Sequence, residues 1–375
     1  MKIGIYTLPL HTNYGGILQA YALQKVLKNL GHDAWLINRP KTFKIFWIKA
    51  PLIYLKRMIK KYILLENGTK IFLEQHRKRE YEIISVNTQK FINEYIQPSL
   101  NIVSLKKIPN NIFEVIVVGS DQIWRPKYNK PKIENSFLDF AKKQKRLKRI
   151  AYAASFGTSI WEYNRTQTER CKSLISKFDA VSVREDSGIE LCKTYFNIDA
   201  DLVADPTMLL SKSDYIKIAN TYKKDINGEL FVYILDTGKE KEKVIEYMSK
   251  NCNMIPFTTS TDNSNVEIEK RITSPIEYWL KSFYYSKFII TDSFHACVFS
   301  IIFNKPFYTI ANQDRGSARF FSLLKLFQLE HRLIKTVDEI DFDKAFSINW
   351  DRTNEILNQQ KELSIRFLID SLSEI

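Results

Sequence analysis

The chain has 375 residues, 45% hydrophobic and 26% charged, a balance typical of a globular protein long enough for two domains with buried cores. Its formal net charge of +14 calls for an anionic partner: a phosphorylated small molecule, a lipid headgroup surface or nucleic acid. Four cysteines without CxxC spacing and five histidines without metal-ligand spacing speak against a disulfide framework and a metal site, and no stretch approaches the roughly 18 apolar residues of a membrane span.

In chain order, Lys2–Thr7 is expected as a buried strand rather than a secretory signal, because its apolar stretch is short and soon broken. His11-Thr12-Asn13-Tyr14-Gly15-Gly16 reads as a glycine-containing turn. Ile17–Leu30 reads as a helix with Ala20, Leu23, Leu27 and Leu30 on its apolar stripe, stopped by Gly31. A strand at Ala34–Asn38 completes a βαβ opening, the unit from which parallel sheets are built. Lys41–Leu65 carries seven basic residues and no acidic one. On a helical wheel Lys56, Arg57, Lys60 and Lys61 share one face, and Leu52, Leu55, Met58, Ile59, Tyr62 and Ile63 the other. Such a helix either lies on an anionic membrane surface or packs its apolar face on the core with its lysines in water.

Further strands are expected at Glu114–Val118, Arg149–Ser155, Ala180–Val183 and Asp201–Ala204, each running into small or polar residues as a ligand-lined sheet edge requires. The polar stretch Ser211–Gly228 marks a domain boundary, giving one Rossmann-like domain at 1–210, with a basic amphipathic insertion at about 41–110, and another at 211–350. In the second, Leu230–Leu235, Met254–Thr258, Phe288–Thr291 and Phe307–Ile310 read as strands and Lys239–Lys250 as a helix. Ser274-Pro275-Ile276-Glu277 has the residues of a capped helix start. Residues 351–375 hold a closing amphipathic helix expected to pack back on the first domain.

The chemistry-bearing residues cluster at these strand ends. Thr291-Asp292-Ser293-Phe294-His295 stands where a strand gives way to a helix, so that His295 is a proton carrier beside helix amides that attract an anion, or a packed or capping histidine. Asn13, Tyr14, Gly15 and Gly16 precede a helix and let backbone amides approach a phosphate, although neither GxGxxG nor a P-loop is present. Asp121 after Gly119-Ser120 either positions a hydroxyl or caps the next element. Arg184 ends an apolar strand and must either pair with Glu185 or Asp186 or grip an anionic ligand. Arg315 and Arg319 offer two more cations. No GxSxG is seen, and the basic residues form no recognised nucleic-acid module, so nucleic acid is not the expected partner.

Taken in order, Asn13-Tyr14-Gly15-Gly16 with Leu18-Gln19-Ala20-Tyr21-Ala22-Leu23, Val118-Gly119-Ser120-Asp121-Gln122-Ile123-Trp124, Ser155-Phe156-Gly157, Ser182-Val183-Arg184-Glu185, Asp205-Pro206-Thr207 and Asp292-Ser293-Phe294-His295 resemble the polysaccharide pyruvyl transferases over most of residues 1–330. The resemblance implies an α/β fold of two Rossmann-like domains facing a cleft, as in glycosyltransferase-B enzymes. It implies transfer of a pyruvyl group from phosphoenolpyruvate, a co-substrate needing no metal or other cofactor, to a sugar of a cell-surface polysaccharide or its lipid-linked precursor. The family's catalytic histidine falls on His295 and its donor-binding arginine on Arg184. Members with an Arg-x-His motif carry an arginine where this chain has Ser293, so Arg315 or Arg319 is expected to supply that charge. The setting implied is cytoplasmic, peripheral at the inner face of the plasma membrane. The rival readings are a glycosyltransferase using a nucleotide sugar and a non-catalytic protein that binds anionic polymer or membrane.

Overall fold

The computed structural model describes residues 1–40, 43, 45, 47–66, 68–129, 132–259, 267–310 and 318–373. The first half runs β1 (Lys2–Tyr6), α1 (Tyr14–Asn29), β2 (Asp33–Asn38), α2 (Ala50–Tyr62), α3 (Leu73–Ile84), α4 (Val86–Tyr95), β3 (Ser99–Asn101), β4 (Val115–Gly119), β5 (Lys148–Ala154), α5 (Arg165–Ile175), β6 (Ala180–Val183), α6 (Asp186–Leu191) and β7 (Asp201–Leu202). Its strands form one seven-stranded sheet in the order β3-β2-β1-β4-β5-β6-β7, every pair parallel. The second half runs α7 (Lys212–Ala219), β8 (Leu230–Tyr233), α8 (Lys239–Asn251), β9 (Pro256–Thr258), α9 (Ile276–Tyr285), β10 (Phe288–Thr291), α10 (Phe294–Ile302), β11 (Phe307–Ile310), α11 (Ala318–Leu326), β12 (Leu333–Ile334) and α12 (Trp350–Ser373). It forms a five-stranded parallel sheet ordered β12-β11-β10-β8-β9.

Strict two-residue alternation splits the strands between cores. In β4, Val115 and Val117 join a large core shared by both domains, while Ile116 and Val118 join one behind the first sheet. In β10, Ile289 enters the shared core, while Phe288 and Ile290 enter one behind the second sheet. Burial on both faces explains why these strands are continuous apolar runs. The shared core continues from α1 through Met208 to Trp279 and Phe299, so the two domains meet over packed apolar surface. Helix α12 returns to the first domain: Ser364 Oγ accepts from the Ala204 amide at 2.9 Å, and Phe367 lies 6.2 Å, centroid to centroid, from Tyr152.

Two helix starts differ from expectation. Helix α1 begins at Tyr14, so Gly15 and Gly16 sit in its first turn rather than in a preceding loop. The cause is Asn13, whose side chain accepts from the Gly16 amide at 3.2 Å and closes the helix end earlier than the glycines suggest. Helix α9 opens at Ile276 with Pro275 at the cap position instead of Ser274, whose carbonyl receives the Tyr14 hydroxyl at 2.8 Å from the other domain.

Candidate active site

All strands of each sheet run one way, so their carboxyl ends share an edge, and the two edges face each other across the domain boundary. Helix α1 organises the first. Gln19 donates from Nε2 to Thr7 Oγ1 at 2.9 Å and to the Gly16 carbonyl at 3.0 Å, while its Oε1 accepts from the Ser120 amide at 2.8 Å. The ends of β1 and β4 are thereby tied to one helix. Asn13 Nδ2 donates to Asp121 Oδ2 at 3.2 Å, and Asp121 holds a φ of 56°, a left-handed conformation that aspartate tolerates. After β5, the buried Glu185 carboxylate accepts from Ser155 Oγ at 2.9 Å and from the Phe156 and Gly157 amides at 2.9 and 3.1 Å.

Arg184 lies at the centre, its side chain 2% exposed. It pairs with Asp205 at 2.5 Å and reaches Asp121 at 3.6 Å. Of the two sequence neighbours that could have paired with it, Glu185 turns instead to the loop after β5. Asp205 also accepts from the Thr207 amide at 3.0 Å and hydroxyl at 2.7 Å. The Phe294 ring has the Arg184 guanidinium at 4.5 Å and the Arg319 guanidinium at 5.2 Å, and Arg319 lies 3.8 Å from Asp121.

The second domain brings His295, in the first turn of α10. Its Nε2 lies 3.6 Å from Asp205 Oδ2, across the domain boundary. Its other nitrogen faces Gly15: a Cβ there would come within 2.0 Å of Nδ1, so only glycine admits the ring at this position. The loop before α10 is fixed by buried Asp292, which accepts from the Leu235 amide at 2.7 Å, the Asp236 amide at 3.2 Å and Lys241 Nζ at 2.6 Å. Ser293 donates its amide to Thr291 Oγ1 at 3.0 Å.

A cavity of about 300 Å³ opens between the domains, lined by Asn13, Tyr14, Gly15, Asp121, Ser293, His295 and Arg319 with aromatic walls from Tyr128, Tyr233, Trp279 and Phe320. Gly16 lies just outside its wall, and Arg184 lies one layer back, on a neighbouring cavity of about 310 Å³ with Asp205 and Phe294. Arg315 falls outside the described residues. Sequence reasoning passed over Asp205, Gln19, Glu185 and the Asp292–Lys241 pair as site residues. The signal for Asp205 was its place in Asp205-Pro206-Thr207 just past a strand end.

The charges interlock. Burial pushes the Asp121 carboxyl up, but His295, Arg184 and Arg319 outweigh it, and the net shift is downward. Burial also opposes ionisation of Asp205, yet His295, 3.6 Å away, and the Arg184 guanidinium hold it well below the usual carboxylate range. Burial, then repulsion from Arg184, brings Arg319 down to about 10. Both carboxylates therefore stabilise the fold above their unfolded pKa of about 3.9, and this contribution is lost as pH falls through the lower folded values. Urea unfolding across an acid series is expected to show stability declining below about pH 4. Asp205→Asn is expected to be less stable at neutral pH with a shallower acid limb; an unchanged limb would contradict the pairing. Among the described residues no group of three His, Cys, Asp or Glu side chains is placed to hold a metal ion.

Two facing parallel-sheet α/β domains, with a charged cavity where their strand ends meet, define a glycosyltransferase-B-like fold. Solved structures share this fold: Staphylococcus aureus MnaA with UDP is 11% identical, with a TM-score of 0.52 over 100% of this chain and 97% of that one. A putative UDP-N-acetylglucosamine 2-epimerase from Listeria monocytogenes is 9% identical, with a TM-score of 0.50 over 95% and 90%. Residues 13–314 match the model of the polysaccharide pyruvyl transferases, and the chain belongs to that family. No curated protein sequence matches it.

Proposed function

We propose that the protein transfers the pyruvyl skeleton of phosphoenolpyruvate to two hydroxyls of one sugar, forming a cyclic pyruvate ketal and releasing phosphate. The observation that carries this reading is His295, which faces the cavity on one side and Asp205 on the other, inside a cluster of two guanidinium groups and two carboxylates. A cavity of about 300 Å³ suits a small donor and the edge of a sugar ring.

In this reaction His295 gives its proton to the methylene carbon of phosphoenolpyruvate, leaving an oxocarbenium-like centre at C2. One sugar hydroxyl adds to C2, and the second displaces phosphate to close the ketal. Of the two hydroxyl protons, one restores the imidazolium and the other leaves with phosphate. Asp121, ionised and facing the cavity, orients the acceptor hydroxyls. The donor's anionic groups meet Arg319 and the amides at the start of α10, with Asn13, Tyr14 and Gly15 on the opposite wall. Arg184 adds positive potential from behind Phe294. Arg319 thus serves in place of the arginine that the family's Arg-x-His members carry at the position of Ser293.

Arg319→Ala is expected to raise the KM for phosphoenolpyruvate by about tenfold or more, the loss of one charge-assisted hydrogen bond. An unchanged KM would remove Arg319 from donor binding. The reaction itself is tested by incubating the protein with phosphoenolpyruvate and a panel of lipid-linked and nitrophenyl sugars. A product heavier by one pyruvate less one water, with phosphate released, supports the proposal. Nucleotide released from a nucleotide sugar, with phosphoenolpyruvate untouched, would show a glycosyltransferase instead.

A further inference from the structure

Helix α2 buries none of its residues. Its contacts with the protein run along one side: Arg57 pairs with Glu74 of α3 at 2.6 Å and donates to the Ile71 carbonyl at 3.0 Å, and the Tyr54 ring meets Phe72 at 5.5 Å between centroids. At about 100° per residue, the arc facing away from these contacts carries Leu52, Leu55, Met58, Ile59, Tyr62 and Ile63. These side chains are 40–76% exposed. Packing of the apolar face on the core, one of the two arrangements the sequence allowed, is therefore not what the chain adopts. Lys49 and Lys56 border the arc on one side, Lys61 springs from the contact side but brings its Nζ to 5.5 Å from the Tyr62 ring of the arc, and residues 41–65 contain no acidic residue.

We infer that α2 is the protein's docking surface for an anionic lipid bilayer, with the apolar arc at the acyl-chain boundary and Lys49, Lys56 and Lys61 at the level of the phosphates. Six large apolar side chains on one exposed arc exceed the scattered singles of an ordinary surface. Flanking lysines with buried stems and solvated heads are the composition of an interfacial helix. A second copy of the chain seated on the same arc would bring like charges together, whereas a phosphate-rich surface neutralises them. Among the described residues no helix is long and apolar enough to cross a membrane, so attachment through α2 would lie in the surface plane.

Helix α3 connects this surface to the reaction cavity. One end holds Arg57 through Glu74. The other places Glu80 3.5 Å from Arg271 and stacks Tyr81 on His11 with ring centroids 3.4 Å apart. His11 directly precedes the wall residues Thr12 and Asn13, and Arg271 lies two residues before Thr273 of the same wall. The docking surface is independent of the reaction proposed above. Only one consequence rests on that reaction, that acceptor sugars reach the cavity on a lipid carrier in the same bilayer.

The test floats the full chain with phosphatidylcholine vesicles, with and without phosphatidylglycerol, at low and high salt. Leu55→Asp/Ile59→Asp and Lys56→Glu/Lys61→Glu are compared with the unaltered protein. Expected is binding to the phosphatidylglycerol vesicles only, weakened by salt, with the partition lowered by about tenfold or more in either variant. Melting temperatures should be unchanged, because α2 buries no residue. Equal binding by the aspartate variant, or no binding by the unaltered chain, overturns the inference. So does self-association that the aspartates abolish while vesicles stay unbound. Vesicle binding without pyruvyl transfer would uphold the surface and reject only the reaction.

Discussion

His295→Gln is expected to lower the turnover of pyruvyl transfer by about 10²–10⁴-fold, the usual worth of a positioned proton donor. Glutamine keeps a polar side chain of similar reach but carries no proton that can be given to carbon. The fold should survive, because Asp205 keeps Arg184 at 2.5 Å and both donors of Thr207 when the imidazole is gone. The KM for phosphoenolpyruvate should move little, since the cavity retains Arg319 and the amides of α10. Steady-state kinetics beside a thermal melt check both halves. Full turnover in the variant would take the proton transfer away from this residue.

Arg184→Ala is expected to destabilise the protein by about 3–5 kcal/mol, because the change strands two buried carboxylates. Asp205 loses its shortest ionic partner and Asp121 loses one of the three positive groups that keep it ionised. The variant's carboxylates no longer have strongly depressed pKa values, so their penalty should shrink as pH drops below about 4 and they take up protons. The two unfolding free energies are therefore expected to converge in acid. Equal stability at neutral pH would mean that the guanidinium contributes nothing to holding these groups together.

Much of the framework could be read from residue order. Runs such as Val115–Val118 and Phe288–Thr291 are apolar on both faces and end in small or polar residues, the mark of a covered parallel sheet. Strands β3 (Ser99–Asn101) and β12 (Leu333–Ile334) escaped because two or three residues carry no period; pairing with β2 and β11 makes them strands. The site was legible as residue types at strand ends but not as partnerships. Arg184 could be read as pairing with a sequence neighbour or gripping an anion, whereas the sheet brings it to Asp205 and Asp121, which follow other strands. Gly15 reads as a phosphate turn until the second domain places the His295 ring against it. The direction of the apolar face of α2 could not be read at all, since core-packed and membrane-bound helices share one pattern.

The most direct measurement is the mass spectrum of the ketal formed from phosphoenolpyruvate and a sugar acceptor in deuterium oxide. Proton delivery from a solvent-exchanging imidazole to the methylene carbon predicts a product methyl group bearing one deuterium. A ketal whose methyl group carries none would contradict it.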